Sequence, residues 1–434
     1  MALLTDARRE LDRNHWVLLI LLGAAAFFEG YDVSIFAVAL PAIRESFGLS
    51  QASAAWYLAI IHAGALPALF ISRRADRIGR RQTLLVSIVG YTVFTGLTAI
   101  SPNIGVYTGL QFCARLFITA EAAIAFAMIA EELPARTRGF GFGWLASLTA
   151  IGTGLAAIVN GAIFAPLGIN WRFLYLVGVP PLIAITFFRR KLPESKRFEI
   201  ARDAGELAGS WREIVRRPYR RWLVLICIVA TAATLTTFAV DFAIDFMQTE
   251  RGLSATVTNL LLVAAGAPAI PILVLAGALS DRIGRKVVAC STIALSVIGG
   301  AGFFFVDAGI GVMYVFLTLT IIGFAVASPT IGAFNAELFP TSLRSQAGAW
   351  ANTFRVVGQV LSLGLGSVLL ASLGSLPLTA VILFVGPIIV VLVIAVFFPE
   401  TKGRELEDTS AGPDVDPHVN DEEGLEESTT VFPI

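Results

Sequence analysis

What most constrains this chain is a succession of apolar stretches, each about long enough to cross a lipid bilayer. They fall at roughly 16–41, 53–72, 83–101, 104–130, 140–165, 172–189, 221–246, 255–279, 287–307, 310–333, 346–372 and 375–398. A helix crossing the hydrocarbon core needs roughly 20 mostly apolar residues, and a spanning segment must satisfy its own backbone polar groups. Twelve such spans predict an all-α polytopic membrane protein. The composition agrees: of 434 residues, 56% are hydrophobic and 15% charged, with mean hydropathy +0.77. Soluble domains carry about 25% charged residues. A formal net charge of zero supplies no basic field for nucleic acid. Cys113, Cys227 and Cys290 all lie within apolar stretches, so no disulfide framework is expected. The first span is too long for a signal-peptide core and is expected to remain as a helix.

Twelve spans put both termini on one side, and the positive-inside rule selects which. With that side cytoplasmic, its segments hold 27 of the 32 Lys and Arg residues, and the opposite loops hold only Arg44, Arg172 and Arg251. The expectation is a plasma (inner) membrane protein with both ends in the cytoplasm. Residues 1–189 and 221–400 read as two six-helix bundles. The basic stretch 190–220 between them suits amphipathic helices on the membrane surface. Residues 401–434 read as a disordered acidic tail, since from Arg404 onward ten Asp and Glu stand against one Arg.

The two bundles repeat one another. Asp76-Arg77-Ile78-Gly79-Arg80-Arg81 and Asp281-Arg282-Ile283-Gly284-Arg285-Lys286 are 205 residues apart. Glu132-Leu133-Pro134 with Arg138, and Glu337-Leu338-Phe339-Pro340 with Arg344, keep the same offset at their glutamates; Pro193-Glu194-Ser195 and Pro399-Glu400-Thr401 are offset by 206. Three motifs at one offset, each after the equivalent span, imply a duplicated six-helix unit whose halves are related by an axis along the membrane normal.

At these residues the chain resembles the major facilitator superfamily, over roughly residues 15–403. Gly30-Tyr31-Asp32, Pro193-Glu194-Ser195-Lys196-Arg197 and Pro399-Glu400-Thr401-Lys402-Gly403 are similar to sugar porters and related metabolite–proton symporters. The resemblance implies two pseudo-symmetric six-helix bundles, alternating access, and a proton site at Asp32 facing Arg115. Two departures stand out. Ser72 and Arg74 replace the opening glycine and the following apolar position of the first loop motif. Span 7 has no glutamine, and span 5 has Ala146 and Ser147 where sugar porters carry one. A sugar is therefore not the expected substrate; the two arginines within spans, Arg115 and Arg355, point to an organic anion, while the five acidic residues beside them leave a cation or a neutral solute open.

Ionisable side chains at membrane depth are costly and mark function by default. The candidates are Glu29 and Asp32 on span 1, Arg115 and Glu121 on span 4, Asp241 and Asp245 on span 7, and Arg355 on span 11. At 1.5 Å per residue, Asp32, Glu29 and Arg115 lie about 14–18 Å from the outer surface, and positions 29 and 32 share a helix face. A nearby cation favours the ionised form of a carboxyl group, whereas burial disfavours it. Asp32, Arg115 and Glu29 form the candidate proton-coupling set: a carboxylate that exchanges Arg115 for a proton would couple proton movement to transport, and a permanent ion pair joining spans 1 and 4 is the other reading. Arg355 either holds a substrate carboxylate through its planar fork or pairs structurally. Arg115, Glu121, Asp241 and Arg355 form the candidate substrate set. Asp245, near the outer rim, is expected to pair with Arg251 or be hydrated, and His62 to be a helix-contact residue.

The repeated loop motifs form a candidate cytoplasmic gate: Asp76, Arg77, Arg80, Glu132 and Arg138 in the first half, and Gly277, Asp281, Arg282, Gly284, Arg285, Glu337 and Arg344 in the second. Their acids can accept from arginines and from helix N-termini, and such contacts release as two bundles rock. The chain has three histidines and no H-E-x-x-H, G-x-S-x-G or G-K-[ST] string, so no enzyme, catalytic residue, cofactor or metal is expected. Secondary active, proton-coupled symport of a small organic solute is the expected activity. Efflux antiport and a non-transporting sensor on the same fold are the alternatives, and symport is preferred to efflux because span 5 lacks a Gly-Pro pair.

Overall fold

Helices begin where the sequence supplies caps. Asp12, Ser50, Asn103, Ser254 and Ser375 each accept a backbone N–H from the first turn that follows. The resulting helices are α1 (Arg13–Phe47), α2 (Gln51–Ser72), α3 (Arg80–Thr98), α4 (Ile104–Glu132), α5 (Arg138–Leu167), α6 (Arg172–Arg189), α7 (Tyr219–Thr249), α8 (Ala255–Ile272), α9 (Arg285–Phe305), α10 (Ile310–Glu337), α11 (Arg344–Leu373) and α12 (Leu376–Phe397). Eleven have a stretch long and apolar enough to cross a membrane; α3, which opens on Arg80-Arg81-Gln82-Thr83, is the more polar twelfth. This computed structural model describes residues 11–134, 137–190, 214–215, 219–272, 280, 282–339 and 343–400, and leaves out the side chains at 73, 76–78, 328–329, 333, 335–337 and 345. No strand occurs among the described residues. The acidic tail and all of the expected linker except Arg190, Ile214, Val215, Tyr219 and Arg220 lie outside them.

The duplication is visible in the packing. In the first half α1 lies against α5, and α3 against α4 and α6; in the second, α7 lies against α11, and α9 against α10 and α12. The backbone repeats too. Gly79 and Gly284, 205 residues apart, enter α3 and α9 with φ of 119° and 123°, a region that an L side chain rarely adopts. Large apolar side chains such as Val86, Ile183 and Leu392 are exposed, as a lipid-facing surface requires.

Close backbone approach sets the α1–α5 crossing. A Cβ added at Gly30 would collide with the Thr149 carbonyl, and one at Gly152 with the Phe27 carbonyl. Small residues at such crossings let helix backbones touch where lipid supplies no hydrophobic drive for association. Gly152→Val is therefore expected to cost roughly 1–3 kcal/mol by overpacking, read as a lowered midpoint in thermal unfolding of the detergent-solubilised protein.

Two helices break where the interior is polar. In α5 the turn Val159–Phe164 is widened, and Asn160 donates to the Val38 carbonyl at 3.1 Å. In α7 a tight turn at Thr234–Thr236 precedes a second irregularity at Phe242. Freed backbone groups at membrane depth need partners. Ser362 of α11 supplies them, donating to the Leu235 carbonyl at 2.5 Å and accepting from Phe238 N at 3.0 Å. The same stretch of α7 carries Asp241.

Candidate functional site

Between the two halves, α1 contributes Asp32, α2 His62, α4 Arg115, α7 Asp241 and α11 Arg355. Arg115 is part-buried and Arg355 exposed, although both sit near the middle of long apolar helices. Arg355 donates through Nε and Nη2 to Asn352 Oδ1 at 3.3 and 2.9 Å, which holds its planar fork in place. Arg115 has Asp241 and Asp32 as its acidic neighbours, and its own charge bears on Arg355. Neither guanidinium makes an ion pair within 4.0 Å with any described acid. Asp32 is buried, and its Oδ1 has no hydrogen-bond partner among the described residues. A locked Asp32–Arg115 pair is thus not what this conformation contains. Tyr107 and Tyr175, their hydroxyls 2.5 Å apart, complete the surroundings of Arg115 and Asp32.

The halves are joined at the face where α1 ends, here called the distal face; the opposite face, where α1 begins, is the terminal face. Arg44 Nη1 lies 2.5 Å from Asp245 Oδ1, and Gln51 Nε2 donates to Asp245 Oδ2 at 2.7 Å. Ser367 Oγ donates to the Ala52 carbonyl at 2.7 Å. Deeper in, His62 bridges to Asp241 at 3.5 Å and to Gln359 at 3.4 Å. These contacts all cross from one half to the other, so the distal side of the site is shut. They correct one expectation: Asp245 is fully buried and pairs across the interface, while Arg251 pairs with Asp307 at 2.9 Å. His62 is a helix-contact residue, and the contact it makes is between halves.

Two further placements differ from the sequence reading. Glu121 is fully buried inside the first half, ion-paired with Arg189, and does not line the space between the halves. Glu29 turns toward the same pair, with Glu121 and Arg189 as its charged neighbours, and not toward Arg115. Arg189, the last residue of the expected sixth span, has a fully buried side chain. Its signal is in the spacing: Leu182, Ile185 and Arg189 fall on one helical face, and all three are buried.

At the terminal face the repeated motifs adopt matching geometry. Arg138 Nε donates to the Leu133 carbonyl at 3.1 Å, and Arg344 Nε to the Phe339 carbonyl at 3.0 Å. Arg80 pairs with Glu131 at 2.7 Å, and the carbonyl of Glu132 lies 3.1 Å from His15 Nε2. Glu400 was not singled out as a gate residue; it caps α9 by accepting from Arg285 N at 2.9 Å and Lys286 N at 3.1 Å. Glu400 also lies against the glycine position of Gly284, and Arg282 is exposed. Gly277 and Asp281, and the side chains of Asp76, Arg77 and Glu337, lie outside the described residues. Among the described residues no cluster of His, Cys, Asp and Glu could hold a metal ion.

Comparison with known proteins matches this architecture. The family model described as Major Facilitator Superfamily matches residues 22–246 and 226–424. The chain is 28% identical to a probable 4-methylmuconolactone transporter of Cupriavidus pinatubonensis, over 78% of this chain and 79% of that one. It is 24% identical to the niacin transporter NiaP of Acinetobacter baylyi, over 92% and 97%. The crystal structure of a D-xylose–proton symporter superposes with a TM-score of 0.72 at 19% identity, covering 90% of this chain and 99% of that chain.

Proposed function

This chain belongs to the Major Facilitator Superfamily and is a membrane solute transporter, and we propose that it is a proton-coupled symporter of a small carboxylated, ring-containing organic anion. One observation carries the reading: the Arg115 charge bears on Arg355 in the opposite half, and no described acid lies within 4.0 Å of either guanidinium. Two facing cations repel unless an anion lies between them, and a carboxylate matches a guanidinium fork with two parallel bonds. Niacin and 4-methylmuconolactone, named for the two relatives, each combine one ring with one carboxylate.

Taking the terminal face as cytoplasmic, from the distribution of basic residues, the closed distal face makes this an outside-shut conformation. Asp32 then acts as the proton-coupling group. A buried carboxylate keeps its charge beside an available cation and takes a proton once that cation is engaged elsewhere. Solute bound to Arg115 would engage the cation in this way, so proton and solute would travel together. The contacts at Arg80, Arg138, Arg285 and Arg344 belong to the cytoplasmic gate in this scheme.

The test is uptake of radiolabelled niacin and 4-methylmuconolactone into proteoliposomes with an imposed pH gradient. At one proton per solute, a gradient of one pH unit is worth about 1.4 kcal/mol, or about tenfold accumulation. Asp32→Asn is expected to lose gradient-driven accumulation while retaining solute exchange. Accumulation at the wild-type level by that variant would defeat the coupling assignment.

A further inference from the structure

We propose that Glu29 and Glu121 share one proton beside Arg189, forming a proton-holding site inside the first six-helix bundle that is separate from Asp32. The inference does not depend on the coupling role given to Asp32. Glu121 and Arg189 are an ion pair whose side chains are both fully buried. Arg189 also donates through Nε and Nη2 to the Leu21 carbonyl at 3.3 and 3.1 Å, which fixes its guanidinium between α1 and α4. The pair uses Glu121 Oε1. Glu121 Oε2 is buried and has no hydrogen-bond donor among the described residues.

The carboxyl group neighbouring Glu121 belongs to Glu29, which is 7% exposed. The groups facing Glu29 are therefore Glu121 on α4, Arg189 on α6, Tyr91 on α3 and, one turn along its own helix, Asp32. Tyr91 is no donor to the carboxylates, because its hydroxyl donates to the Phe28 carbonyl at 2.8 Å. The balance is two buried carboxyl groups against one buried guanidinium. A buried carboxylate without a partner costs several kcal/mol, and two carboxylates that share a site do not both stay ionised. One proton removes both difficulties. Carried on Glu29, it neutralises the second acid and supplies the O–H donor that Glu121 Oε2 lacks. Glu29 is also one helical turn from Asp32 toward the terminal face, about 4.5 Å along the axis, which sets this proton between the solute site and the terminal end of α6.

The test is infrared spectroscopy of the purified full-length protein in lipid nanodiscs, following the protonated-carboxyl stretch by its shift on exchange into D2O. The Asp32→Asn protein is expected to retain such a band at neutral pH. Adding Glu29→Gln or Glu121→Gln to it should remove the band, because the remaining carboxylate then balances Arg189 alone. Each single Gln variant is expected to keep a melting midpoint near the wild type, whereas the double Gln variant strands Arg189 and unfolds well below it. No band in the Asp32→Asn protein, or a band that survives both added substitutions, would overturn the proposal. Should one Gln variant fail to fold, the other carries the same prediction.

Discussion

Arg115→Met is expected to abolish binding of an anionic solute, with affinity falling by at least about 100-fold; a bond to a charged group is worth about 1.5–3 kcal/mol, and an anion left with its cation missing loses more. Methionine keeps most of the side-chain volume, so the loss reports charge and geometry. Arg115→Lys should recover only part of the affinity, because an ammonium cannot reproduce the two-pronged fork. Arg355→Met is expected to have a smaller effect, about tenfold, because Arg355 is exposed and its attraction is screened by water. Titration calorimetry of the purified protein with niacin reads all three. The contrary reading, in which Arg115 serves only to hold α1 and α4 together, predicts intact binding and a lowered melting midpoint. The geometry already weighs against it, since Asp32 and Arg115 make no ion pair within 4.0 Å.

What the sequence made legible followed a local rule or a fixed period. The spans announce themselves by length and hydropathy, and the duplication by motif offsets that the structure repeats in the Arg138–Leu133 and Arg344–Phe339 bonds. Depth along a helix was also readable, and Asp32 and Arg115, expected at one level, are near enough for each to feel the other's charge. Rotation about the helix axis was not. Helix α4 is apolar nearly all round, so nothing local told whether Glu121 faces the other half or the core of its own bundle, and burial against Arg189 decided it. Long-range pairing was equally hidden: Arg44 and Asp245 are 201 residues apart, and Asp245 had a nearer arginine, Arg251, available by sequence. The irregular turns of α7 left no mark in an apolar run, although they position Asp241.

The hidden Arg44–Asp245 contact supports the second large effect. Asp245→Asn is expected to shift the protein toward opening at the distal face. Asp245 is fully buried and receives both Arg44 and Gln51 from the opposite half, so removing its charge leaves the Arg44 guanidinium without its anion in a closed interface. Breaking one side of a buried pair costs about 3–5 kcal/mol. That cost falls on the distally closed state alone, because rocking the halves apart hydrates Arg44 in wild type and variant alike. Two conformations of a protein commonly differ by only a few kcal/mol, so a penalty of this size is enough to invert the populations. The readout is labelling of Ser367→Cys by a membrane-impermeant maleimide added to intact cells, with Cys113, Cys227 and Cys290 replaced. Ser367 sits at the closed seam, bonded to the Ala52 carbonyl, and its labelling rate is expected to rise by at least about tenfold. Exchanging the charges, as Arg44→Asp with Asp245→Arg, should return labelling toward the parent rate, which a loss of packing alone would not do. Unchanged labelling in Asp245→Asn would mean that His62 and the apolar contacts hold the distal face without the ion pair.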